Sequence, residues 1–272
     1  KIINFQERFQ RGITEKGYLF ILAVNRTAPL HSALGSAAMH DMVRQIGDRL
    51  TSYFAGDKHI AHIGEYDFGV LSEDIDNDDD ALKMASELQL EFAAPLFLEE
   101  RQLNITCSIG IARSDMRQEN AEDWLREAQT ACVAASKDGG GTERMFHLAL
   151  ASEALSAWQI SEQLKQAISE NTIEAWLQPI VNMETKKPIG FEALARWEIS
   201  PGHSIPPNQF IPIAEEYGLI EELGNFMLRK SCRLLNECHK MSGDFKDLYV
   251  SVNVASSQLE KSSFLPSVKR LV

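Results

Sequence analysis

GFEALARW, residues 190–197, sets one carboxylate among apolar neighbours: Glu192 follows Phe191 and precedes Ala193 and Leu194, with Arg196 four residues on. The run reads as a strand. A carboxylate in that setting is expensive to desolvate unless it is paired or bound to a metal. The residues alone leave two readings open, a strand-end ion pair between Glu192 and Arg196, or an oxygen ligand for a hard cation such as Mg²⁺, Mn²⁺ or Ca²⁺. Asn253 poses the same choice inside VSVNVAS, residues 250–256, which also reads as an apolar strand. It is either a strand-end hydrogen-bonding residue or a second oxygen ligand.

Working outward, residues 173–197 read as two strands around a Lys-Pro turn. Residues 207–241 are helical with a break near Gly218, and 248–256 form a further strand. Strand, helix, strand in that order predicts a parallel βα unit. A helical pattern from Ala149 to about Asn171 leads into this region as a linker, and a homodimer is expected either through it, with Leu155, Trp158 and Leu164 as apolar anchors, or through the second half. Upstream, GYLFILAVN (17–25) is a buried-strand run, 30–54 a helix interrupted near Gly35, and HIAHIGEYDFGVLSE (59–73) a hairpin around an acidic turn. SEDIDNDDD (72–80) reads as a solvated loop, 81–97 as a helix, 103–114 as a strand and 121–141 as a helix stopped by glycines. TERMFHL (142–148) supplies a last strand. The first half is thus a mixed α/β unit, a sheet with helices packed on it. The expected divisions are an N-terminal segment (1–14), a sheet domain (15–150), a linker helix (151–170) and a second domain (171–272).

The chain has 272 residues, with 27 basic and 39 acidic side chains and a net charge of −12. That balance disfavours a nucleic-acid binder, which needs a basic footprint, but allows a small anionic ligand held through metal ions. No apolar run approaches the ~20 residues of a membrane span. The sequence starts at Lys1 instead of Met, so a preceding segment, an anchor or sensor included, is expected to be compatible with it. The four cysteines form no C-x-x-C pair; Cys107 and Cys132 read as buried free thiols, which fits a cytoplasmic location.

LQPIV (177–181), GFEALARW (190–197), FIPIAEEYGLI (210–220) and VSVNVASSQL (250–259) occur in that order with helical spacers. Together they resemble the EAL-domain family, the cyclic di-GMP phosphodiesterases, over about 155–272. The resemblance implies a TIM-barrel-like fold with the site at the strand ends. It implies Glu192 and Asn253 as catalytic metal ligands for Mg²⁺ or Mn²⁺, and Gln178, Leu194 and Arg196 as contacts to cyclic di-GMP, Arg196 at a phosphate. The second half is too short for a barrel of about 250 residues. It is expected to hold the N-terminal part of such a domain, and so to be inactive alone.

The first half resembles the GGDEF family, the diguanylate cyclases, over about 15–150. HIGEYDFGVL occupies the place of the name-giving hairpin, and TCSIGIA and ASKDGGG match later positions. The chemistry departs from the family. Ala23 stands where the first-strand metal-binding aspartate is expected, and His31 and His40 where guanine is read. The hairpin pentapeptide is Gly64-Glu65-Tyr66-Asp67-Phe68; Ser136 and Gly140 replace phosphate-contacting basic residues; and Ala55–Lys58 lacks the inhibitory Arg-x-x-Asp. Glu65 would repel a phosphate, and Tyr66 is a poor hard ligand near neutral pH. Glu65 and Asp67 are therefore read as a solvated turn and the cyclase site as non-functional. His31 and His40 lack the i, i+4 spacing of a zinc pair.

The resulting expectation is a bacterial-type cyclic di-GMP signalling protein. Its degenerate GGDEF domain is regulatory or dimerising, and the EAL domain cleaves cyclic di-GMP to linear pGpG. The alternative is a non-catalytic receptor that binds the dinucleotide and signals to a protein partner; a purely structural module is the bland third reading.

Overall fold

Strand β1 (Tyr18–Val24) is buried along nearly its whole length. Successive side chains of a strand point to opposite faces, so burial of both sets requires helices on both sides of the sheet, and that is the arrangement found. The computed structural model describes residues 17–54, 59–98, 101–114, 120–259, 261–262 and 264–271. The chain divides into two units, Lys1–Ala154 and Leu155–Val272.

In the first unit β1 lies between β3 (Asp67–Ser72) and β6 (Cys107–Arg113), antiparallel to both. Strand β2 (His59–His62) pairs with β3 as the expected hairpin, and β7 (Glu143–Met145) runs parallel to β6 at the other edge. The order is β2-β3-β1-β6-β7. Helix α1 (Thr27–Tyr53) breaks at Gly35, whose φ is 77°. Beyond the break Met39, Met42, Ile46 and Leu50 form a buried stripe at helical spacing. They pack with Phe20 and Leu22 of β1 and with Ala85, Leu88 and Phe92 of α2 (Asp78–Ala93). Leu19 and Ile21 meet α3 (Ala121–Lys137) on the other face, through Trp124, Ala128 and Cys132. The Trp124 indole N–H donates to the Ala112 carbonyl at 3.0 Å, so the buried ring keeps its polar atom satisfied.

Three details differ from the sequence reading. The acidic run does not end in a loop at residue 80: Asp78, Asp79 and Asp80 form the first turn of α2, and the Asn77 side chain caps it by accepting the Asp80 N–H at 2.9 Å. Carboxylates at a helix N-terminus complement the helix dipole. Helix α2 stops at Ala93, because Ala94 precedes Pro95 and takes an extended conformation; the following residues form a hairpin, β4 (Leu96–Leu98) with β5 (Arg101–Leu103). Residues 103–114 are consequently split between β5 and β6. Residues 55–58, where the inhibitory motif was sought, lie outside the described residues.

In the second unit the long strand β9 (Pro188–Ser200) pairs antiparallel with β8 (Glu174–Val181), as the two-strand reading of 173–197 requires. It also pairs antiparallel with the short β10 (His203–Ile205), and parallel with β11 (Tyr249–Val252). Helices α5 (Pro207–Glu216) and α6 (Ile220–Met241) make the crossover between the parallel strands, separated at Gly218. One face of this sheet carries the core: Ala175 and Trp197 pack with Phe210 and Ala214 of α5 and with Leu223, Phe226 and Met227 of α6. Trp197 and Phe210 meet edge to face at 5.6 Å between ring centres. Helix α4 (Leu148–Glu170) contributes Ile160, Leu164 and Ala167 to the same core. Leu164 is fully buried there, so it cannot be the dimer anchor the sequence suggested; Leu155 and Trp158 are exposed. Short helices α7 (Ser256–Leu259) and α8 (Phe264–Lys269) follow β11. Among the described residues no helix is long and apolar enough to cross a membrane.

Candidate functional site

Register decides which side chains share a face. On β9 and β8 the cross-strand partners are Glu192 with Gln178, Leu194 with Trp176, and Arg196 with Glu174. Alternate residues of a strand lie on one face, and directly opposed residues share it. Ala193 and Trp197 belong to the buried core, so Glu192, Leu194, Arg196 and Gln178 lie on the opposite, open face. Glu192 is half-buried and Gln178 exposed. Asn253 falls one residue past the end of β11, not on the strand, and its Nδ2 donates to Glu192 Oε1 at 2.9 Å. Glu192 thus meets Asn253, and Arg196 is occupied elsewhere: its guanidinium sits 5.6 Å from the centre of the Trp176 ring and donates to the Ala195 carbonyl at 2.9 Å. The residue-level reading of a Glu192–Arg196 ion pair is not what the geometry favours.

All five residues singled out in this unit therefore come together at one region of one sheet face. Leu194, Arg196 and Asn253 also line a cleft of about 380 Å³, with Gln258 in its wall. A carboxylate and a carboxamide each carry an oxygen of the kind that ligates a hard divalent cation; here the carboxamide turns its Nδ2 to the carboxylate. Among the described residues no group of three or more His, Cys, Asp or Glu side chains gathers in a metal-binding arrangement. The sequence reading missed Trp176. It is exposed, at 64%, and counting in twos back from Gln178 on β8 would have found it.

In the first unit Ala23 opposes Asp67 on β3 and Ser108 on β6. Asp67 is not the solvated group expected of the turn. It is half-buried, and burial raises its carboxyl above the ordinary range, offset in part by His62. Glu65 is exposed, and the Tyr66 phenol is raised by burial and then by its hydrogen bond to Glu65. Gly64 lies against Asp67; a Cβ there would be 2.9 Å from Asp67 Oδ2. His31 and His40 are exposed on α1, and the His31 ring is 3.4 Å from the Ser36 hydroxyl. The Ser136 hydroxyl turns back to the Cys132 carbonyl at 3.2 Å. Gly140 has φ 76°, and a Cβ there would meet the Asn25 amide at 2.8 Å, so no long side chain fits without a shift. Asn25 is itself held by Thr106 and Ser108. Cys107 and Cys132 are buried free thiols as expected; burial pushes Cys132 up to about 11 and Cys107 higher still.

Comparison with known proteins agrees with this division. The family model described as diguanylate cyclase, GGDEF domain, matches residues 4–142, and the EAL domain model matches residues 161–272. The chain is 27% identical over 240 residues to the cyclic di-GMP phosphodiesterase NbdA of Pseudomonas aeruginosa, covering 88% of this chain and 30% of that protein. It is 28% identical over 250 residues to the oxygen sensor protein DosP of Escherichia coli, covering 92% and 30%. The chain thus spans about 30% of the length of these relatives. Among solved structures, the GGDEF domain of TpbB (YfiN) from Pseudomonas aeruginosa superposes with a TM-score of 0.52 at 19% identity. It covers 57% of this chain and 90% of that one, which gives the fold.

Proposed function

The chain belongs to the GGDEF family, with an EAL domain in tandem, and from that premise we propose that the whole protein acts in cyclic di-GMP signalling by hydrolysing the dinucleotide through its EAL domain. The observation that carries this reading is the Glu192–Asn253 contact on the open face of β9, with Gln178 as the strand neighbour of Glu192. Glu192 and Asn253 would hold a divalent cation, Mg²⁺ or Mn²⁺, which supplies a Lewis acid for the phosphodiester and activates water for attack. Arg196 offers a planar cationic fork to a phosphate oxygen, and its seat against Trp176 limits its rotamers before the ligand arrives. Leu194 gives an apolar wall for a base, and the exposed Gln178 amide a donor and acceptor beside it. The first domain, with Ala23, Glu65, Tyr66 and Gly140 in place of ligating or phosphate-binding groups, takes a regulatory role and does not make cyclic di-GMP.

Incubating the full-length protein with cyclic di-GMP, with and without a chelator, and separating the products tests this. Metal-dependent release of linear pGpG is the expected result. Tight binding without turnover would replace the enzyme by a non-catalytic receptor that signals to a partner, and neither binding nor turnover would remove both.

A further inference from the structure

Gln258 is a buried polar side chain, 2% exposed, in the short helix after β11. Its Oε1 accepts the Ala255 N–H at 3.1 Å, which fixes the orientation of the amide. Its Nε2 has no hydrogen-bond partner among the described residues and is shielded from solvent. Burying an unpaired donor is unfavourable, so propensity and burial alone do not account for glutamine here. The amide lies against Gly224 of α6: a Cβ on Gly224 would stand 2.2 Å from Nε2 and 2.6 Å from Oε1. Any side chain at 224 would evict it. One helical turn before Gly224, Glu221 pairs with Lys261, so α6 holds the 255–261 segment at two points on one helix face.

That segment begins just after Asn253. The Ala255 amide tied by Gln258 is two residues from the carboxamide that meets Glu192, and Gln258 and Asn253 line the same cleft. We infer that Gln258, seated on Gly224, is a positioning residue that fixes the loop after β11 so that the Asn253 carboxamide is held beside Glu192. This rests on the metal-ligand reading of Glu192 and Asn253. Residues that orient ligands change metal affinity about 10–100-fold when lost.

In the full-length protein, Gln258→Met keeps the side-chain volume and removes both amide atoms; Gly224→Ala leaves Gln258 intact and displaces it. Both should weaken Mn²⁺ binding, measured calorimetrically without dinucleotide, by about tenfold, and should speed hydrogen exchange of the Ala255 amide. The double variant should be no worse than Gln258→Met alone, because Gly224 acts through Gln258. A lowered melting temperature with unchanged Mn²⁺ affinity and unchanged Ala255 exchange would overturn the inference, as would additive losses in the double variant. A wild-type protein that binds no Mn²⁺ would overturn the metal reading instead. The exchange arm would then still judge the Gly224–Gln258 latch, and unchanged exchange at Ala255 would overturn it too.

Discussion

The two units each place a half-buried carboxylate on a sheet, with different neighbours. In the first, Asp67 faces Ala23 across β1 and β3, is half-buried, and has its carboxyl pushed toward the neutral form by burial. In the second, Glu192 faces Gln178 and meets the Asn253 carboxamide on an open sheet face. Both carboxylates are half-buried; Glu192 accepts the Asn253 N–H, whereas the burial of Asp67 is offset in part by the charge of His62. The difference lies in the neighbouring residues, not in the sheets, since each unit has an ordinary apolar core.

Replacing Glu192 by Ala gives the sharpest break in this comparison. Loss of one charge-bearing group from such a site should lower the rate of cyclic di-GMP hydrolysis by about a hundredfold or more, whereas Asp67→Ala should leave it within a factor of about two, on the scale of substitutions remote from a site. Product chromatography on the purified full-length variants checks both. Equal losses would mean that the two carboxylates are not functionally distinct.

Next in size is an effect on stability confined to the second unit. Phe210 is fully buried against Trp197, and Phe210→Ala should cost about 3–5 kcal/mol. Denaturant unfolding followed by hydrogen exchange should show the loss in β8, β9 and α6 and not in β1 or β6. Uniform destabilisation would make the division into two units energetically empty.

The smallest expected effect concerns Asp67. A carboxyl whose folded-state pKa is raised above the ordinary 3.8 contributes stability that is present below that value and lost as pH rises through the raised one. Asp67→Asn removes this dependence. The variant should therefore gain on the wild type as pH climbs from 3.8 toward neutrality, with a flat difference below. A difference that moves the other way would mean that Asp67 is held ionised, as a ligand would be.

Most of the architecture was legible because hydrophobic period and turn chemistry agree along the chain. The alternation in GYLFILAVN, the stripe in α1 and the glycine break at 218 each have a local cause. What the sequence concealed has non-local causes. The β4–β5 hairpin follows from Pro95 ending a pattern that otherwise continues as helix, and the acidic run looked like loop because its capping role depends on where α2 starts. The candidates Glu192, Leu194, Arg196, Gln178 and Asn253 came from the family motifs. Their shared face required the register of β8 on β9, and the use of Asn253 in place of Arg196 as the partner of Glu192 required coordinates. Leu164 looked like an exposed anchor because an amphipathic pattern does not say which surface it will meet. Gln258 carried no signal at all, since a buried amide in a polar tetrapeptide reads as a surface residue.

The central claim is that ligand-binding chemistry resides in the second unit and is gone from the first. Calorimetric titration of the full-length protein with GTP and Mg²⁺, and separately with cyclic di-GMP and a divalent cation, tests it most directly, using the wild type and Glu192→Ala. The account predicts no GTP heat in either protein, and a cyclic di-GMP isotherm in the wild type that is lost or greatly weakened in Glu192→Ala. GTP binding with micromolar affinity that disappears in Asp67→Ala, or dinucleotide binding indifferent to Glu192, would contradict it.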